Sequence, residues 1–210
     1  MPSIVQFRDK SHVLGIYSTP QRKIEEGLEY LRIGFEENNE AIVMVTDELT
    51  KEEVRNEIIK KWNISKYDLQ DLERNSIINI KTPKETYFSS AIIDYEKTIK
   101  QFSDIAHASL KKGKKGLRSF ADMKIFFETE HEEQLIEYEK SLPHSFDFPI
   151  IGLCAYDLDK FVRLDYKSRK IIFDHHNLHL TDNAYRSIFD ISDNTVTVEH
   201  ICMFYEDNKY

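Results

Sequence analysis

The sequence is poor in the residues that mark several familiar protein classes. Cysteine occurs only as Cys154 and Cys202 in 210 residues, and neither belongs to a C-x-x-C pair. That excludes a disulfide framework and predicts two reduced thiols. Glycine occurs six times, and the loop after the first predicted strand, YSTPQRK, has none. A phosphate-binding loop needs glycines so that backbone N–H groups can wrap the phosphates, then a lysine followed by serine or threonine. KKGKKG at 111–116 has these residues in the wrong order and place, between a helix and a strand, and no dinucleotide fingerprint is present. Classical ATP hydrolysis is therefore disfavoured. No apolar run approaches the roughly 20 residues of a membrane helix, and the start, MPSIVQFRDK, lacks the apolar stretch of a signal peptide. Positive charge is outweighed, 29 Lys and Arg against 37 Asp and Glu, for a net charge of −8. Such a chain is repelled by phosphate backbones and anionic membranes, so neither nucleic acid nor membrane is an expected partner. A cytoplasmic protein is the expectation.

What is present is a regular alternation. HVLGIY (12–17) reads as a buried strand, followed by a helix whose cap is Ser18 or Thr19 and whose first turn holds Pro20. Ile24, Leu28, Leu31 and Phe35 give that helix one apolar face. AIVMVT (41–46) is a continuous apolar run, as expected of a strand covered on both sides. The next helix starts at a Thr50/Glu53 capping box, and SIINIKT (76–82) is a third strand. The pattern predicts a long amphipathic helix over 83–112 carrying Tyr87, Ile92, Tyr95, Ile99, Phe102 and Ile105. A strand at 116–123, a helix at 124–141 and a strand at 148–157 complete the series. Strands alternating with helices imply an α/β fold with a mainly parallel sheet in a single domain, 1–210. Beyond about residue 184 the tail offers a strand at 195–205, an added edge within a C-terminal extension.

Several segments in order, HVLGIYSTPQRKIEEGLEYLRIGFEENNEAIVMVTDE, GLRSFADMKIFFE, LIEYEKSLP, IGLCAYD and IIFDHHNLHL, resemble the MEDS family, named for a sensory domain of methanogens and methylotrophs. The resemblance covers about residues 10–180. It implies a RecA-like three-layer α/β fold that has lost its phosphate loop, and a ligand-binding sensory module without catalysis. Carried over by position, it implies ligand-binding roles for His12, Tyr17, Arg118, Asp122, Glu139, Cys154, Tyr156 and His176. Asn177 stands where the family usually has proline. No attached kinase or DNA-binding domain is recognisable, so the implied output runs through a separate signalling partner or a homo-oligomer.

Each site residue also has a plain structural reading. Arg118 suits an anionic or carbonyl-bearing ligand, oriented by Asp122 or Glu139, or else an internal ion pair. Cys154 is either a redox or electrophile sensor or a small buried hydrophobe, and Tyr156 either faces a ligand cleft or packs in the core. His175 and His179 stand four apart, the spacing of the helical H-E-x-x-H zinc motif, but His176 occupies the position of its glutamate. The three histidines thus read as part of a metal site, as a pH-sensitive pocket group at His176, or as helix-end residues bonded to terminal carbonyls. No metal and no cofactor is expected. The expected function is sensing of a small molecule or binding of a signalling partner at the carboxyl edge of the sheet. The alternative is a nucleotide-binding protein or weak ATPase with Asp122 or Asp157 as its acid, and a metal-dependent hydrolase is third.

Overall fold

The computed structural model describes residues 10–89, 92–129, 131–143 and 145–181. Among them, His12–Tyr17 (β1) leads into Pro20–Glu36 (α1), where the Thr19 hydroxyl accepts the amide N–H of Arg22. Ala41–Val45 (β2) is followed by Lys51–Trp62 (α2), opened by the reciprocal Thr50/Glu53 box. A helix that the apolar pattern did not announce, Lys66–Arg74 (α3), starts at a second box formed by Ser65 and Asp68. Ile78–Lys81 (β3) then precedes Pro83–Tyr87 (α4).

The long helix expected over 83–112 is broken. Phe88–Ser89 (β4) and Ile92–Ile93 (β5) form a short antiparallel pair, and Tyr95–Lys111 (α5) starts afresh where the Asp94 carboxylate accepts the amide of Lys97. Asp94 is an extended residue with a side chain suited to capping, so it ends one element and begins the next. The helix expected at 124–141 is likewise two, Lys124–Glu128 (α6) and Glu132–Ser141 (α7) after Leu117–Asp122 (β6), because His131 leaves helical backbone geometry. Ile150–Asp157 (β7), Leu158–Phe161 (α8), Tyr166–His175 (α9) and Leu178–Thr181 (β8) complete the described chain. The strand expected at 195–205 lies outside the described residues.

Six parallel strands form one sheet in the order β3-β2-β6-β7-β1-β8, the parallel sheet that the alternation predicts, in the three-layer α/β architecture that the resemblance implies. Helices α1, α2 and α3 cover one face, and α4 to α9 cover the other. With both faces covered, β1, β2, β6 and β7 are buried along their whole length. Strand parity then sorts the side chains. In β7, Cys154 and Tyr156 face the α5–α9 layer while Leu153 and Ala155 face α1.

α1 lies unusually close to β6. A Cβ at Gly27 would stand 2.5 Å from the Phe120 ring, and one at Gly34 would stand 2.5 Å from the Arg118 side chain. Gly27→Ala gains about 1 kcal/mol of helix propensity, yet it forces a methyl into a rigid, buried aromatic ring. The expected net effect is a loss of roughly 1–2 kcal/mol in urea unfolding. Unchanged or increased stability would contradict the close approach of α1 to β6.

Candidate functional site

All eight residues singled out from the sequence are buried, but they do not meet at one place. Seven of them divide into three polar groups, set by strand parity and by position along the strand.

Arg118 sits at the amino end of β6 on the α1 face. Its Nε donates to Glu40 Oε2 at 2.6 Å, and its guanidinium lies 4.9 Å from the centre of the Tyr30 ring. The expectation that Asp122 or Glu139 orients Arg118 is therefore corrected. Asp122 shares its face, but four residues of extended strand separate them by roughly 13 Å, and Glu139 lies across the sheet with the α5–α9 layer. Tyr17 also faces α1, among the core residues of that side.

Asp122 belongs to the second group, at the carboxyl edge of the sheet. Lys23, fully buried on α1, places Nζ 2.8 Å from Asp122 Oδ1, 2.8 Å from Asp157 Oδ1 and 3.1 Å from Glu48 Oε1. Thr46 Oγ1 and the Lys124 amide also donate to Asp122, at 3.1 Å each. Burial alone would weaken the Lys23 ammonium, but the charges of Asp122 and Asp157 hold its pKa above the ordinary lysine value. Burial pushes the Asp122 carboxyl up to about 6 against the opposing pull of Lys23. Lys23 stands beside, not on, the stripe of Ile24, Leu28 and Leu31, so apolar periodicity alone gives it no role. Its signal was the run Lys23, Gly27, Tyr30, Gly34, a second buried face at helical spacing.

The third group lies between the sheet and the α7–α9 pair, toward the amino end of β1 instead of the carboxyl edge where a ligand was expected. His12 opens β1, Cys154 and Tyr156 come from β7, Glu139 from the last turns of α7, and His176 caps the end of α9. One donor atom from each of His12, Glu139, Cys154 and His176 lies within 4.8 Å of the others. His12 Nε2 stands 3.4 Å from Cys154 Sγ and 3.7 Å from Glu139 Oε2, and His176 Nε2 stands 3.6 Å from the same oxygen. The two imidazoles stack at 3.8 Å, and the Tyr156 hydroxyl donates to Glu139 Oε1.

The tautomers follow from the other ring nitrogens. His12 Nδ1 contacts the His175 carbonyl at 2.9 Å and His176 Nδ1 contacts the Ile172 carbonyl at 2.6 Å. A carbonyl only accepts, so both Nδ1 atoms carry the proton and both Nε2 atoms turn a lone pair toward Glu139. Few protons are left to share. Glu139 Oε2 and His176 Nε2 are buried without a hydrogen-bond partner. Burial raises the Glu139 carboxyl to about 8, opposed by hydrogen bonds from Tyr156 and Cys154. Burial, then the charge of Glu139, lifts the Cys154 thiol well above its usual range, and burial lowers His176 well below its own. The metal-free group is thus close to neutral.

The helical His175/His179 pair does not exist. His175 ends α9, His176 adopts extended backbone, and His179 lies in β8 with its ring edge-on to Phe173. Asn177 takes over the turn. Its side chain accepts the amide of His12 at 3.0 Å and its own amide donates to the His12 carbonyl at 3.0 Å, a bond that proline has no N–H to make. Beside His12 and Cys154 lies a cavity of about 20 Å³, walled by Phe102, Leu142, Phe146 and Phe148. It has about the room of one water molecule.

Fold and site together define a parallel three-layer α/β domain whose carboxyl edge holds an internal ion-pair network and in which His12, Glu139, Cys154, Tyr156 and His176 gather beneath two helices. Residues 11–167 match the MEDS family, the MEthanogen/methylotroph, DcmR Sensory domain, and the chain belongs to that family of sensory domains. No curated protein matches the chain. The matched span stops before His176, so what joins His176 to the group is its position in the fold.

Lys23→Met would leave the buried Asp122 and Asp157 carboxylates without their cation, at an expected cost of about 3–5 kcal/mol in denaturant unfolding. Removing the exposed Lys100, paired with Asp104, is expected to cost under about 0.5 kcal/mol. Equal effects from the two substitutions would contradict the structural role given to Lys23.

Proposed function

We propose that this domain senses a small ligand at the group formed by His12, Glu139, Cys154, Tyr156 and His176, and passes the signal on without catalysis. The observation that carries this reading is the pair of buried polar atoms, Glu139 Oε2 and His176 Nε2, aimed at each other with no hydrogen-bond partner. An unsatisfied buried polar group costs about 1–3 kcal/mol, and such a cost is expected to persist where a ligand repays it. The neighbouring cavity limits what fits. A ligand larger than about one heavy atom must displace one of the segments that wall the cavity, α5, α7 or the chain around Phe146 and Phe148, and that displacement is the natural signal. In this reading the domain acts in the cytoplasm, and a separate signalling protein or a second copy of the chain reads the movement, for instance to regulate transcription.

The nucleotide-binding alternative has less support. Asp122 and Asp157, its candidate acids, already surround Lys23, and that ammonium fills the edge of the sheet where a phosphate would be sought. Arg118, Asp122 and Tyr17 serve the framework in this account, and the ligand group retains five of the eight residues.

Thermal-shift titration tests the reading with one- to three-carbon alcohols, aldehydes, carboxylates and halocarbons. At least one class is expected to stabilise the wild type and to lose its effect in His176→Ala, while Tyr166→Ala, at an exposed position, responds as the wild type does. A panel without any shift, or a shift undiminished in His176→Ala, would count against the site.

A further inference from the structure

We propose that His12, Glu139, Cys154 and His176 are the four ligands of a single divalent ion of the zinc class. This deepens the reading of the group as the sensory site and rests on it.

The geometry is the first argument. Zinc bonds of about 2.0–2.1 Å to nitrogen or oxygen and about 2.3 Å to sulfur, arranged tetrahedrally, set neighbouring donors roughly 3.3–3.6 Å apart. The 3.4 Å from His12 Nε2 to Cys154 Sγ and the 3.7 and 3.6 Å from the two Nε2 atoms to Glu139 Oε2 are close to edges of that size, and the two nitrogen–oxygen pairs stand too far apart for hydrogen bonds. The second argument is lone pairs. Nε2 of both imidazoles, an oxygen of Glu139 and the sulfur of Cys154 lie within 4.8 Å of one another, and two of these four atoms have no hydrogen-bond partner. A cation answers several acceptors at once.

Charge is the third. Two neutral imidazoles, a thiolate and a carboxylate balance a divalent ion, so the loaded centre is neutral overall, as complete burial requires. Binding exchanges the ion for the thiol proton of Cys154 and the acid proton of Glu139, both released to solvent. The thiolate and imidazole donors favour zinc over magnesium or calcium, which select oxygen.

Outer contacts complete the site. The His175 and Ile172 carbonyls orient the two imidazoles, and the Tyr156 hydroxyl holds the other oxygen of Glu139, the roles that partners behind metal ligands usually play. Because the ligands come from β1, α7, β7 and the end of α9, one ion would tie both helices to the sheet. Loss of the ion, or its capture by a competing small ligand, would release them.

The test is titration of chelator-treated, untagged protein with cobalt(II), its folding followed by circular dichroism. One equivalent is expected to bind with intense tetrahedral ligand-field absorption and a thiolate-to-cobalt charge-transfer band, and one equivalent of zinc is expected to displace it. Cys154→Ser is expected to lose the charge-transfer band and to weaken binding by about tenfold or more. A folded wild type that gives no tetrahedral spectrum and takes up no zinc by elemental analysis overturns the metal assignment, whatever the variants do. An unchanged charge-transfer band in Cys154→Ser overturns it as well, by placing the metal elsewhere. If metal uptake fails while His176→Ala still abolishes an organic ligand's thermal shift, only the metal assignment falls. If both fail, the sensory site falls with it.

Discussion

Water does not reach the central strands, so every polar side chain planted on them must find its partner inside the protein. Most of the architecture follows from how that demand is met. Arg118 meets Glu40 under Tyr30 at one end of β6, and Asp122 and Asp157 meet Lys23 at the other. Both solutions require α1 to lie almost on the sheet, which Gly27 and Gly34 permit. On the opposite face the demand is left incomplete. His176 and Glu139 point bare atoms at each other in a largely apolar layer. One face thus holds two internal ion-pair groups, and the other holds the facing bare atoms of Glu139 and His176.

The parallel sheet was legible in the sequence because its strands are short, apolar and separated by helix-length segments. The face assignment of Cys154 and Tyr156 was also legible, since residues two apart on a strand point the same way. Family resemblance brought His12, Glu139 and His176 into one set, but nothing in their spacing places an α7 carboxylate against the first residue of β1. The same resemblance put Arg118 and Asp122 in that set, where strand parity and length keep them out. Apolar periodicity failed at Asp94 and His131, because single capping or non-helical residues interrupt a helix without disturbing its hydrophobic stripe. It also overlooked α3, whose Ser65/Asp68 box was the better signal, and β8, a short strand behind a histidine-rich turn.

Asn177 shows how a turn without proline is held in place. In place of a ring that fixes the turn, it offers an amide and a side-chain oxygen, and both bond the backbone of His12. His12 is thereby pinned to the segment that carries His176. His12 and His176 stack face to face across that junction, so a change at either imidazole is felt by β1 and by the end of α9 together.

The claim at the centre of this account is that an ion belongs among those four donors. Anomalous diffraction at the zinc absorption edge, from crystals of untagged protein supplied with zinc, tests it most directly. The expected result is one strong peak bonded to His12 Nε2, His176 Nε2, Glu139 and Cys154 Sγ. A well-ordered group with no peak, and with a water molecule bridging Glu139 and His176, would contradict it.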